Sequence, residues 1–113
     1  MEEREFLSLA DAKLILIEQA LEKLQADSDA LWDFEIKPGG ILEMDFEDGS
    51  KIIINRHVAA REIWIAAKSG GFHFRPPVNS AADWCDTRGS TGLSEVLSRC
   101  ISEQSGVTLR LAG

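Results

Sequence analysis

Ile41-Leu42-Glu43-Met44-Asp45-Phe46-Glu47-Asp48-Gly49-Ser50-Lys51-Ile52-Ile53-Ile54-Asn55-Arg56 is the stretch from which the architecture can be read. Apolar and acidic residues alternate strictly over Ile41–Glu47. Leu42, Met44 and Phe46 take one face, and Glu43, Asp45 and Glu47 take the other. That period of two belongs to a sheet buried on one side and wet on the other. Asp48-Gly49 turns the chain. A two-residue turn would set Phe46 against Lys51 and bury a lysine. A three-residue loop with Gly49 left-handed pairs Met44 with Ile52, Leu42 with Ile54 and Asp45 with Lys51. A one-residue slip inverts every side chain, so the second register is the expected one.

Strands continue on both sides of this hairpin. Asp33–Lys37 precedes it, separated by the turn Pro38-Gly39-Gly40. Glu62–Ala67 follows, with Ile63 and Ile65 inward and Trp64 outward. Lys68-Ser69-Gly70-Gly71 turns again. Phe72 and Phe74 point inward and His73 outward. Pro76-Pro77 opens a loop over residues 76–82, and Trp84 heads a last short strand.

Helical patterns flank the strands. Over about residues 3–25, Phe6, Leu9, Ala10, Ile17, Leu21 and Leu24 share a face. Lys13 interrupts it, with its stem along the core edge and its ammonium expected outside. Leu14, Ile15 and Leu16 make more apolar surface than one core needs. Asp11, Glu18 and Glu22 line the flank. Near the C-terminus, Leu93, Val96, Leu97, Cys100 and Ile101 form a second stripe. Ser90 or Thr91 is the expected N-cap and Gly106 the expected C-cap. An extended tail, 107–111, follows. The expected fold is α+β: a two-layer sandwich of five to six antiparallel strands, with N- and C-terminal helices on one face. Residues 1–113 read as a single domain.

Composition narrows the functional classes. Fourteen Asp/Glu and four Lys/Arg lie in residues 1–48, against five and eight in residues 49–113; the net charge is −7. A pI near 4.7 repels phosphates and argues against nucleic acid. No apolar run is long enough to span a membrane. The acidic start Met1-Glu2-Glu3-Arg4-Glu5 reads as neither a secretory nor a mitochondrial leader, so a cytoplasmic location is expected. Cys85 and Cys100 lack a metal or redox spacing and read as free thiols, with Cys100 in the core.

Two surfaces carry the chemistry. The wet sheet face collects Glu43, Asp45, Lys51, Ile53, Asn55, Trp64 and His73. A tryptophan among polar groups on an open sheet suits the centre of a protein contact. Glu18, Glu22, Asp27, Asp29 and Asp33 form an acidic ridge. Glu18 and Glu22 stand one helical turn apart, and oxygen donors suit hard cations. On an exposed face such a site is shallow and weak. His57 and His73 lie in no nucleophile arrangement and read as surface histidines rather than ligands or acid–base groups, and Gly70-Gly71 is a turn rather than a phosphate loop. An enzyme is not expected.

The stretch Asp48-Gly49-Ser50-Lys51-Ile52-Ile53-Ile54-Asn55-Arg56, with Ile63-Trp64-Ile65-Ala66 and Gly70-Gly71-Phe72-His73-Phe74, resembles the frataxin family, most closely its bacterial branch. The likeness runs along nearly the whole chain. It implies the same sandwich and a role in iron–sulfur cluster assembly. It further implies weak surface binding of iron, Fe2+ or Fe3+, on the ridge at Glu18, Glu22, Asp27, Asp29 and Asp33. No organic cofactor is implied. The partner it implies is a cysteine desulfurase, a pyridoxal-phosphate enzyme, together with the cluster scaffold protein. Asn55 and Trp64 fall on the family's docking surface, with Ile53, His73 and Lys51 around them. The protein would then be a monomeric regulator that delivers or senses iron. Gln19, Lys23 and Gln25 thin the acidic run, and an insertion near Ala30-Leu31-Trp32 shifts Asp33. Both lower the iron affinity expected here more than the docking. The competing readings are an iron-storing ferroxidase oligomer and an acidic interaction domain without a metal role.

Overall fold

The computed structural model describes residues 1–27, 32–79 and 82–111, without the side chain of Asp27. Helix α1 (Glu3–Asp27) leads into six strands: β1 (Trp32–Lys37), β2 (Ile41–Phe46), β3 (Lys51–His57), β4 (Glu62–Ala67), β5 (Gly70–Arg75) and β6 (Cys85–Asp86). Helix α2 (Leu93–Ser105) follows. The strands form one antiparallel sheet in chain order, β1 to β6. The β2–β3 pairing is Met44 with Ile52, Leu42 with Ile54 and Asp45 with Lys51, and Gly49 sits at φ 88°. The three-residue loop argued from the buried-lysine penalty is therefore the one formed.

Both helices pack on the same face. Phe6, Ala10, Leu14, Ile17 and Leu21 of α1 join Leu93, Val96, Leu97, Cys100 and Ile101 of α2 over Leu42, Met44, Ile52, Ile54, Ile63, Ile65 and Phe74 in one core cluster. Trp32, before its neighbours turn outward, and Trp84, just ahead of β6, close the ends of this core. Leu111 of the tail is buried too. Its N–H donates to Ser98 Oγ at 3.0 Å, and Leu109 N–H donates to Ser102 Oγ at 2.9 Å. Serines one turn apart on α2 thus satisfy an otherwise unpaired strand of backbone.

Three expectations need correction. Leu9 is not a core residue, because the turn of α1 that buries Phe6 and Ala10 leaves it on the outer side, where it is exposed. The Lys13 ammonium does not emerge into water: it lies 2.9 Å from an Asp83 carboxylate oxygen and donates to Ser94 Oγ at 2.9 Å. A buried ammonium needs such partners. Neither Ser90 nor Thr91 caps α2. The N-cap is Gly92, and Asp83 accepts the Ser94 N–H at 2.9 Å in place of a local cap. The expected C-cap holds, with Gly106 at φ 78° and its N–H on Ser102 O.

Candidate functional site

The uncovered sheet face is divided. On β3 to β5 the alternation that buries Ile54, Ile63 and Phe74 turns Asn55, His57, Trp64 and His73 the other way. Asn55, Trp64 and His73 are register neighbours across three strands. The indole of Trp64 is stacked on both sides. The His57 ring lies 3.8 Å away at 11°, and the His73 ring 4.2 Å away at 9°. Trp64 Nε1 donates to Glu62 Oε1 at 2.7 Å, and the same carboxylate oxygen stands 3.8 Å from His73 Nδ1. Stacking and this hydrogen bond leave the indole little rotamer freedom, and it presents an edge rather than a face. Asn55 Oδ1 is enclosed and has no donor among the described residues.

On β1 and β2 the same face is acidic. Asp33 stands directly opposite Asp45, and Glu35 opposite Glu43. Like charges in such pairs repel. Two lysines soften this: Lys37 lies 2.9 Å from Glu43 and 3.6 Å from Glu35, and Lys51 bonds Asp45 and stands 3.9 Å from Glu43. The hydrogen bond that Lys37 donates to Glu43 raises the pKa of Lys37, and the one that Lys51 donates to Asp45 raises that of Lys51. Ile53 lies between the two halves, opposite Glu43 on one side and Ala66 on the other. The five residues expected on the contact surface, Lys51, Ile53, Asn55, Trp64 and His73, therefore share one face.

The expected ridge is only partly gathered. Glu18 and Glu22 lie one turn apart on the flank of α1. Asp11, on the same flank, is taken up by Arg56 of β3. Gly40 makes this contact possible: a Cβ there would sit 2.5 Å from Arg56 Nε. Asp33 belongs to the sheet's outer face. The Asp27 side chain and Asp29 lie outside the described residues. Among the described residues no group of three or more His, Cys, Asp or Glu converges as a metal cage. Cys85 and Cys100 are both free, and burial pushes the Cys100 thiol up.

Reading the sequence strand by strand missed His57 and Glu62 as members of the Trp64 cluster. The signal was present. His57 follows Asn55 by two and so shares its face, and Glu62 precedes Trp64 by two.

An acidic α+β sandwich, with two helices on one side of the sheet and a braced tryptophan on the other, is a class with known members. A family model described as a frataxin-like domain matches residues 1–107. The iron–sulfur cluster assembly protein CyaY of Dechloromonas aromatica is 49% identical over 98% of this chain and 99% of its own length. The CyaY protein of Cupriavidus metallidurans is 47% identical over 98% and 96%. The solved structure of frataxin from Psychromonas ingrahamii superposes with a TM-score of 0.82 at 30% identity, covering both chains fully. The chain belongs to the frataxin-like family.

Proposed function

We propose that this protein is a non-enzymatic regulator, or adaptor, of iron–sulfur cluster assembly in the cytoplasm. It docks on a cysteine desulfurase through the Trp64 face and the acidic residues beside it. The observation that carries this reading is the stack His57–Trp64–His73 on the only large sheet face that no described element covers. A rigid aromatic anchor surrounded by polar groups is what the centre of a protein contact requires, because little side-chain entropy remains to be lost on binding. The names of its relatives, which are iron–sulfur cluster assembly proteins, support the same process.

Charge assigns the partner's chemistry. Asp33, Glu35, Glu43 and Asp45 on the face, with Glu18 and Glu22 on α1, favour a basic patch and speed its encounter. Iron, as cargo, would be held by these oxygen donors. Glu18 and Glu22 are paired at helical spacing and suit a hard cation. Two carboxylates keep most of the ion's water, so binding is weak and easily released.

The test is a pull-down of the cell's own cysteine desulfurase on the immobilised protein, with and without ferrous iron. Retention of the desulfurase in either condition supports the reading. Failure to retain it in both, with the protein folded, rules it out.

A further inference from the structure

The outer side of α1 carries a second apolar stripe, the excess already visible in Leu14-Ile15-Leu16. Ile15 and Leu16 are 53% and 51% exposed, and Leu9 36%. Glu5, Leu9, Ala12, Leu16, Gln19 and Lys23 are all exposed and recur at steps of four and three. Those steps keep the six residues on one face of the helix, along which a second helix can lie. The core takes the opposite side of α1. The two ends of the stripe are oppositely charged, and among the described residues neither Glu5 nor Lys23 enters an ion pair.

We propose that this stripe is a self-recognition surface, on which two copies of the chain pair through α1 in antiparallel fashion. With the two-fold axis at the level of Leu14, Glu5 faces Lys23 of the second copy, Leu9 faces Gln19, and Ala12 faces Leu16, each twice. Ile15 meets Ile15 of the second copy beside the axis. A parallel arrangement would put Glu5 on Glu5 and Lys23 on Lys23, so charge selects the antiparallel one. Charge also selects a second copy over a basic partner, because Glu5 and Lys23 make the seam itself neutral. Ala12 lets the helices approach closely where Leu16 arrives. The seam runs about 27 Å, from residue 5 to residue 23 at 1.5 Å each. With two leucines and one isoleucine per copy, it falls at the small end of specific interfaces, so the dimer is weak and reversible. It departs from the monomer expected of the sequence. The seam points away from the sheet, and the dimer therefore offers two Trp64 faces.

Sedimentation velocity in chelator, so that metal plays no part, tests this from about 10 µM to about 1 mM, the range appropriate to a small interface. The weight-average mass should rise from 12.5 kDa toward twice that value. Leu16→Glu should remain at the monomer mass with an unchanged melting curve, its position being exposed. Glu5→Lys and Lys23→Glu should each weaken the dimer about tenfold, and the double exchange should restore it. Glu5→Lys is decisive, since it lowers the net negative charge. General repulsion predicts tighter association for it, whereas the seam predicts weaker. A wild-type protein that stays monomeric throughout, tighter association of Glu5→Lys, or a double exchange as weak as the single variants would overturn the proposal.

Discussion

The imidazole of His57 lies 3.8 Å from the indole of Trp64 and 11° from parallel to it. With His73 on the opposite side, both faces of the indole are occupied before any partner arrives. Aromatic pairs of this kind contribute about 0.5–1.5 kcal/mol beyond their area. A double-mutant cycle of His57→Ala and Trp64→Ala, read by chemical denaturation, should give a coupling in that range. A coupling of zero would mean that the stack does not hold the ring.

The Glu62 carboxylate fixes the same ring from its edge. Glu62→Gln keeps an acceptor and should leave desulfurase binding within about threefold, whereas Glu62→Ala should weaken it more, by freeing an interface side chain whose ordering costs about 0.5–1.5 kcal/mol. Titration calorimetry of both variants distinguishes orientation from charge. Equal losses would indicate charge alone.

Asp83 joins three elements: it meets Lys13 of α1, caps the first turn of α2 at Ser94, and accepts the N–H of Trp84. Burial by itself would raise its pKa. The Ser94 N–H, the Lys13 ammonium and the Trp84 N–H outweigh burial, and the carboxyl titrates below its usual value. A depressed folded-state pKa means that the stabilisation is complete above the unfolded value. It is lost as pH falls through the folded one. Asp83→Ala should cost about 2–3 kcal/mol at pH 7, since it takes the carboxylate from a buried ammonium and removes a cap. The gap between wild type and Asp83→Asn should be constant above about pH 5 and shrink below about pH 4. Denaturant titrations across pH check both. A gap that does not change with pH would remove Asp83 from the acid limb.

Gly39 and Gly40 both have positive φ, 90° and 74°, yet only Gly40 has Arg56 against it. Alanine at either position pays about 1–2 kcal/mol of backbone strain. Gly40→Ala should cost more than Gly39→Ala, because it also pushes Arg56 off Asp11. In an Arg56→Ala background the two costs should converge. Persisting inequality there would show that the arginine is not the cause.

Local rules reached far into this fold. Phe46 and Lys51 cannot share a buried register, and that alone placed β2 against β3 correctly. The period-two pattern of β4 and β5 then placed Trp64 and His73 outside. What failed had causes lying far off in the chain. The fate of Lys13 depends on Asp83 and Ser94, about seventy and eighty residues away. The cap of α2 comes from Asp83 across a loop, where the local sequence offers Ser90 and Thr91. Leu9 satisfies a helical stripe arithmetically, but the core is narrower than the stripe. Glu18 and Glu22 follow from helical spacing, whereas Asp33 requires the β1–β2 register, which sets it against Asp45 rather than beside the helix.

Steering and anchoring separate kinetically. Glu18→Lys with Glu22→Lys should slow association with the desulfurase and flatten its salt dependence, while leaving dissociation nearly unchanged. Association rates at low and physiological ionic strength, followed by surface plasmon resonance, report this. An unchanged salt slope would exclude the α1 flank from the encounter.

Docking through the uncovered sheet face is tested most directly by the affinity of Trp64→Ala for cysteine desulfurase, measured by titration calorimetry beside a thermal melt of the same protein. Loss of the central anchor predicts binding weaker by about thirtyfold or more, with the fold intact. Wild-type affinity in a folded Trp64→Ala protein would contradict it.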